Sequence, residues 1–466
     1  MRRRPLYLVL GFIATAMCGY WLARTAAPAP VAREKTPVPA SGPVRSVIVD
    51  DEAPRFRSGE RPASFRRDDE AASAGALQGQ RVLAFKDRDA LEEFLRRAGD
   101  KVRVMGRLDA LNALRVGFLN PDDLASLLSG DEESSLIYPV DAPAPIDASA
   151  QAGAVPLGAG LLEWLGITGD NSAWGTGVKV AVLDTGVTAH SAFGSTISGI
   201  NLVPLPGDPS AQNGHGTAVA SMIVGANSLT PGVAPGADIF SVRIANDLGQ
   251  SDSFLLAQGI VAAVDSGAQL INISMASPGD SALVRNAIEY AGAAGALIVA
   301  ASGNNGIERV SYPAANAGVI AVGAVDALGN HLDFSNKGKQ LAISAPGFGV
   351  NAAWTGNQAA SVNGTSFSSP IVAGAIAAIM SQPGSARISA SEAADLVFQY
   401  LNDGGEAGSD TEYGAGMPDL GRVINRNTRG IYDAAVANKS QPNDVPYTGR
   451  LDALRKLDVE DAGKDN

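Results

Sequence analysis

Apolar and polar positions fall into distinct regimes along the chain. Arg2, Arg3 and Arg4 precede an uncharged run from Pro5 to Ala23, the pattern of a membrane-targeting segment. Its length fits both a signal peptide and an uncleaved N-terminal anchor, giving a leader over residues 1–25 that exports the chain in either case. Residues 26–79, first rich in Pro and Ala and then polar and charged, read as a linker. From Gln80 the pattern shortens. Arg81–Phe85 predicts a strand, Asp89–Ala98 a helix closed by Gly99, and Val102–Met105 and Leu114–Leu119 two further strands. Asn120-Pro121-Asp122 opens a helix through Leu128, and Ser135–Val140 is a last strand. The order β-α-β-β-α-β over residues 80–150 is a split unit with two helices on one sheet. The stretch Tyr138–Pro145, with a proline at every second or fourth position, should leave it extended.

From about Ala154 the pattern lengthens. Strand-like runs at Val178–Leu183, Ile239–Ile244, Leu270–Ile273, Ala296–Ala300 and Val319–Val322 alternate with helical runs at His215–Val224, Ser253–Ser266, Ser281–Ala294 and Phe367–Met380. This is an α/β domain, a parallel sheet covered on both faces, over residues 151–424. Ser389–Leu401 adds a helix, and residues 425–466 form a polar tail. A chain of 466 residues that is 45% hydrophobic can bury a large core, and its 53 glycines with 6% aromatics suit tight turns and close helix–sheet packing. A net charge of −12 without a basic stripe argues against a nucleic-acid partner. The single cysteine, Cys18, lies in the leader, so no disulfide forms within the mature chain.

Candidate chemistry centres on Asn363–Gly374, where Gly364 allows a sharp turn, Pro370 suits a first helical turn, and an apolar helix follows. Ser366 on that turn is either an N-cap or a nucleophile, and a nucleophile needs a base and an orienting acid. Asp184 ends an apolar strand, where α/β enzymes place chemistry and where a turn-capping Asp also sits. His215, one of three histidines, stands between Gly214 and Gly216 at the head of an apolar helix, with room for a group to approach its ring. Asn304 follows a strand in Ser302-Gly303-Asn304-Asn305-Gly306, as a turn residue or as a donor to an oxyanion.

The motifs VAVLDTGV, NGHGTAVASMIVG, INISMASP, AASGNNG and NGTSFSSPIVAG, in that order over roughly Ala154–Ile424, resemble the subtilisin-like serine proteases. The α/β-hydrolase elbow does not fit, because Ser368 stands where its last glycine belongs. The resemblance implies a subtilisin-like parallel sheet with helices on both faces, preceded by a small α+β (βαββαβ) prodomain. It implies Ser366 as nucleophile, His215 as base and then acid, Asp184 holding the imidazole, and Asn304 with the Ser366 N–H as oxyanion hole. Ser274, Met275 and Ala276 would pair with a peptide substrate as a strand, and Gly249, Gln250 and Ser251 would pair from the other side. Ala276 replaces the family's glycine and should narrow the primary pocket, whose floor would be Ser311. Neither Asn305 nor Ser311 offers a carboxylate, so apolar or neutral residues are expected before the scissile bond.

No cofactor is required by such chemistry. Calcium is common in the family, but the loop Ala226–Pro231 has no carboxylate, so the usual loop site looks absent. The βαββαβ unit would be an inhibitory, folding-assisting propeptide, an intramolecular partner cut off between about Ala142 and Pro156. The expectation is an exported serine endopeptidase acting on polypeptides, autoprocessed from a self-inhibited precursor. It would be secreted, periplasmic or on the cell envelope, with a membrane tether through residues 5–23 if the leader stays. The alternatives are a catalytically silent protease-fold binding or regulatory protein, and a folding factor whose working part is the small module.

Overall fold

A computed structural model of the chain describes residues 67–143, 146, 151–203, 213–382 and 388–425, all within the unit spanning residues 46–466. The run 5–23 and the tail beyond Asn425 lie outside the described residues.

The small module begins upstream of Gln80. Asp68 caps the short helix α1 (Asp69–Ser73) and forms a buried 2.6 Å ion pair with Arg81 of β1 (Gln80–Phe85). Then follow α2 (Arg88–Ala98), β2 (Arg103–Leu108), β3 (Ala113–Gly117), α3 (Pro121–Ala125) and β4 (Glu132–Ser135). The four strands form an antiparallel sheet in the order β2-β3-β1-β4. Side chains alternate across β1: Leu83 and Phe85 meet Leu91, Phe94 and Leu124 under the helices, while Val82 joins Leu108 and Ala113 on the opposite face. The predicted last strand, Ser135–Val140, is two pieces. Its start belongs to β4, whereas β5 (Pro139–Asp141) has left the module's sheet to pair elsewhere, because Pro139 cannot donate to a continuing ladder.

The large domain runs α4 (Leu161–Trp164), β6 (Lys179–Asp184), β7 (Ile197–Asn201), α5 (His215–Val224), β8 (Asp238–Arg243), β9 (Gln250–Asp252), α6 (Ser253–Asp265), β10 (Leu270–Ile273), α7 (Ala282–Ala293), β11 (Leu297–Ala301), β12 (Val319–Val325) and β13 (Leu341–Pro346). The hairpin β14 (Val350–Trp354) and β15 (Gln358–Val362), then α8 (Thr365–Met380), α9 (Ala390–Gln399), β16 (Leu401–Asn402), β17 (Met417–Pro418) and α10 (Leu420–Asn425) complete it. Seven strands form one sheet, β13-β12-β11-β10-β6-β8-β7, with every pairing parallel. Both faces are covered, as the near-continuous apolar runs predict. On β6, Val180 and Val182 enter the core beneath α5, α8 and α9, and Ala181 and Leu183 enter the core beneath α6 and α7.

Chain direction across the sheet reverses at β6, which lies between β8 and β10. Such a switch point opens a crevice at the carboxyl ends of the strands. Asp184 ends β6 there, and Ser274 and Ser302 follow β10 and β11 at the same edge.

Candidate active site

Asp184 is fully buried, and its Oδ1 accepts the Thr185 N–H at 2.7 Å. His215 is the first residue of α5, and its Nδ1 lies 2.8 Å from Asp184 Oδ1 and 3.0 Å from Oδ2. A carboxylate so placed fixes the Nδ1–H tautomer and leaves Nε2 as an acceptor. Nε2 is buried and without a partner, and the ring is packed against Phe367, with centroids 5.3 Å apart. The flanking glycines do not leave open room for an incoming group. A Cβ at Gly214 would fall 2.3 Å from the Trp354 indole, and one at Gly216 would fall 2.4 Å from the Gly186 carbonyl oxygen. They let those neighbours close on the ring.

Ser366 is the second residue of α8, not a residue ahead of it, and the N-cap is Gly364 at φ +140°. The capping reading of Ser366 is therefore corrected. Pro370 also lies inside the helix, beyond its first turn. Its missing N–H would have bonded the Ser366 carbonyl, and that carbonyl instead accepts Ser274 Oγ–H at 2.7 Å. The Ser366 hydroxyl donates to the Ser274 carbonyl at 3.0 Å. Ser366 and His215 are both buried, and the imidazole packs on Phe367, the residue after Ser366, but no hydrogen bond joins serine and imidazole.

Asn304 Oδ1 accepts both the N–H and the hydroxyl of Thr365, at 2.9 and 2.8 Å. Those two donors fix which end of the amide is which. Nδ2 is left buried without a partner, 3.0 Å from where a Cβ on Gly364 would stand. An unsatisfied buried amide N–H costs free energy unless a ligand completes it, so this donor suits an oxygen arriving beside Ser366. Thr365, which orients Asn304, escaped the sequence reading: nothing separates it from an ordinary threonine at a helix start.

The other candidate residues lie in three segments, two of which flank the strand β5. Ser274, Met275 and Ala276 follow β10. Met275 is buried in the apolar core, and the Ala276 backbone forms an antiparallel bridge with Asp141. Gly249, Gln250 and Ser251 make the facing wall, where the Ser251 hydroxyl donates to the Ile244 carbonyl at 2.6 Å. Ser311 is buried, its hydroxyl accepting Asn336 Nδ2–H at 3.1 Å. Asn336 was not anticipated. Its Oδ1 also takes the Asn305 N–H, so one side chain braces both Ser311 and the loop at Asn305.

The module's own chain fills the cleft. β5 pairs antiparallel with β9, Pro139 facing Asp252, Val140 facing Ser251 and Asp141 facing Gln250. On its other edge Asp141 exchanges two backbone hydrogen bonds with Ala276, at 2.9 and 3.0 Å, and the Ala142 N–H donates to the Gly249 carbonyl at 2.7 Å. The Tyr138 ring lies on Gly279, where a Cβ would be 2.1 Å away. Further along, the Ile146 carbonyl accepts Asn363 Nδ2–H at 3.1 Å. The module itself is held by the ion pair Arg115–Asp252, 2.9 Å and largely buried, and by Phe254, whose ring closes on Gly106.

In the Ala226–Pro231 loop, Asn227 Oδ1 accepts from Leu229 N, Thr230 N and the Thr230 hydroxyl, so its oxygen serves the turn. Among the described residues no group of three or more His, Cys, Asp or Glu side chains gathers as a metal site, and no helix is long and apolar enough to cross a membrane.

Residues 175–416 match the model of the Subtilase family. The chain is 35% identical over 326 residues to an alkaline protease of Shouchella clausii, covering 66% of this chain and 83% of that protein. It is 32% identical over 356 residues to alkaline elastase YaB of Bacillus sp. strain YaB, 74% of this chain and 92% of the relative. Subtilisin Savinase of Lederbergia lenta is 43% identical over 209 residues, 44% of this chain and 77% of its own. Among solved structures, a serine-to-alanine mutant of the protease domain of PatA superposes with a TM-score of 0.51 at 31% identity, over 56% of this chain and 99% of that one.

Proposed function

The chain belongs to the subtilase family and is a subtilisin-like serine endopeptidase, and from that premise we propose that it is exported as a precursor, inhibited by its own small module and activated by its own Ser366. The observation that carries this reading is the strap from Pro139 to Ala142, hydrogen-bonded as a strand between the two cleft walls beside the buried Asp184–His215 pair. That is the pose of a peptide substrate.

In the reaction His215 Nε2 takes the Ser366 proton as Oγ adds to the substrate carbonyl, then returns it to the leaving amine. Asp184 holds the ring and stabilises the imidazolium through both carboxylate oxygens. Asn304 Nδ2–H and the Ser366 N–H receive the oxyanion, Asn304 finding there the acceptor it otherwise lacks. Ser274–Ala276 and Gly249–Ser251 bind the substrate backbone, and Ser311 with Asn336 floors a neutral pocket that selects uncharged residues. The chemistry needs no metal. Residues 80–150 act as propeptide, and the run 5–23 directs export with or without remaining as a tether.

Wild type and Ser366→Ala, purified as full chains, test this by intact mass and casein hydrolysis. Wild type should split between the module and the large domain and hydrolyse casein. A Ser366→Ala chain that still did either would refute the assignment.

A further inference from the structure

In an antiparallel pair, the residues that exchange hydrogen bonds recur at every second position. Asp141 and Ala276 exchange both of theirs, and Ala142 turns its N–H the other way, to Gly249. Pro143 and Ser274 are the next to face each other in this register, and no backbone hydrogen bond joins them. Proline has no N–H, so the Ser274 carbonyl receives nothing from the strap at that position. It accepts the Ser366 hydroxyl instead, at 3.0 Å, while His215 Nε2 stays buried and unpaired. Ile146 is held as well, its carbonyl accepting from Asn363 and its side chain packing with Leu332, Phe334 and Phe348. The two anchors, Ala142 and Ile146, stand on either side of Pro143 in the chain, and Asn363, which holds Ile146, is three residues before Ser366.

We infer that the strap presents the Pro143 carbonyl to Ser366, that the bond after Pro143 is the self-processing site, and that the missing Pro143 N–H brakes this cleavage by leaving Ser274 to hold the nucleophile off its base. The inference rests on the peptidase reading of Ser366. In the step, Oγ bonds to the Pro143 carbonyl carbon and its proton passes to His215 Nε2. That proton then goes to the nitrogen of Ala144 as the C–N bond breaks. Water hydrolyses the ester, leaving a carboxylate on Pro143 and an amine on Ala144. An N–H at position 143 would occupy the Ser274 carbonyl and release the Ser366 hydroxyl to turn to Nε2.

The test follows the intact mass of purified full-length chains over time for wild type, Pro143→Ala, Pro143→Gly and Ser366→Ala, with casein hydrolysis read on each sample. Both position-143 variants restore an N–H, and each should be processed roughly tenfold faster than wild type, a gain of the order of one hydrogen bond. The new N-terminus should be Ala144 in every case, with no cleavage of Ser366→Ala. Equal or slower processing of both variants, or a new N-terminus elsewhere, overturns the inference. If wild type and variants hydrolyse casein yet none is cut after residue 143, the inference fails and the peptidase reading stands. If none is processed and none hydrolyses casein, both fall.

Discussion

Gly216→Ala perturbs the Asp184–His215 pair without altering either member. A Cβ at this position, the second of α5, would stand 2.4 Å from the Gly186 carbonyl oxygen and 3.1 Å from Asp184 Oδ1, against an ordinary contact of 3.4 Å or more. The closest atom is main chain and cannot swing aside. The turn after β6 or the start of α5 must therefore retreat by about 1 Å, and these two segments carry Asp184 and His215. A displacement of that size at a catalytic group costs about 10²-fold in rate, or about 2.7 kcal/mol of transition-state stabilisation. The assay is kcat/KM on a chromogenic peptide beside a thermal melt, with Gly292→Ala as the comparison. Gly292 lies in α7 with no atom within 4 Å of its Cβ position, so alanine there should add about 0.4–1 kcal/mol of stability and leave activity alone. Gly216→Ala that kept more than half of the wild-type kcat/KM while remaining folded would refute the reasoning.

Two other outcomes are expected. Asn304→Ala should lower kcat by about 10²- to 10³-fold with little change in KM, a magnitude established for the oxyanion donor of subtilisin rather than worked from this geometry; an unchanged kcat would remove Asn304 from the mechanism. His331, its Nε2 buried without a partner and its ring edge-on to Tyr413, is pushed below its ordinary 6.5 by burial, against the nearby Glu412 carboxylate. The unfolded chain then protonates first as pH falls, so this contribution to stability is complete above about pH 6.5 and lost on acidification below it. His331→Phe should flatten that part of the acid slope, measured as melting temperature at about pH 8 and about pH 5; an unchanged slope would show that His331 does not titrate as described.

Five strands of the parallel sheet, β6, β8, β10, β11 and β12, were legible because they stand out as short apolar runs buried on both faces. By contrast β13 (Leu341–Pro346) was missed although it too is buried, since its Ser344 and Pro346 break the apolar run. α5 begins and ends where the pattern places it, at His215 and Val224. The edge strand β7 was not legible, because its residues are largely exposed and polar or small. Nor was the hairpin β14–β15, although its Trp354 closes on the histidine loop. Asp184, His215, Asn304 and Ser366 could be read because each lies in an extended motif tied to a strand or helix end. What holds them, Thr365 on Asn304, Asn336 on Ser311 and Pro370 freeing a carbonyl for Ser274, depends on contacts between distant segments. No local pattern encodes those. The extended character of Tyr138–Pro145 was visible, but its register between two walls appears only when Asp141 meets Ala276 and Gln250.

The most direct measurement of the central claim is covalent labelling with a fluorophosphonate followed by peptide mapping, on active wild type, Ser366→Ala and His215→Ala. One adduct, on Ser366, is expected in wild type, with none in Ser366→Ala and strongly slowed labelling in His215→Ala. Labelling of a different serine in catalytically active wild type, or labelling of Ser366 at an unchanged rate without His215, would contradict the account of Ser366 as a nucleophile activated by His215.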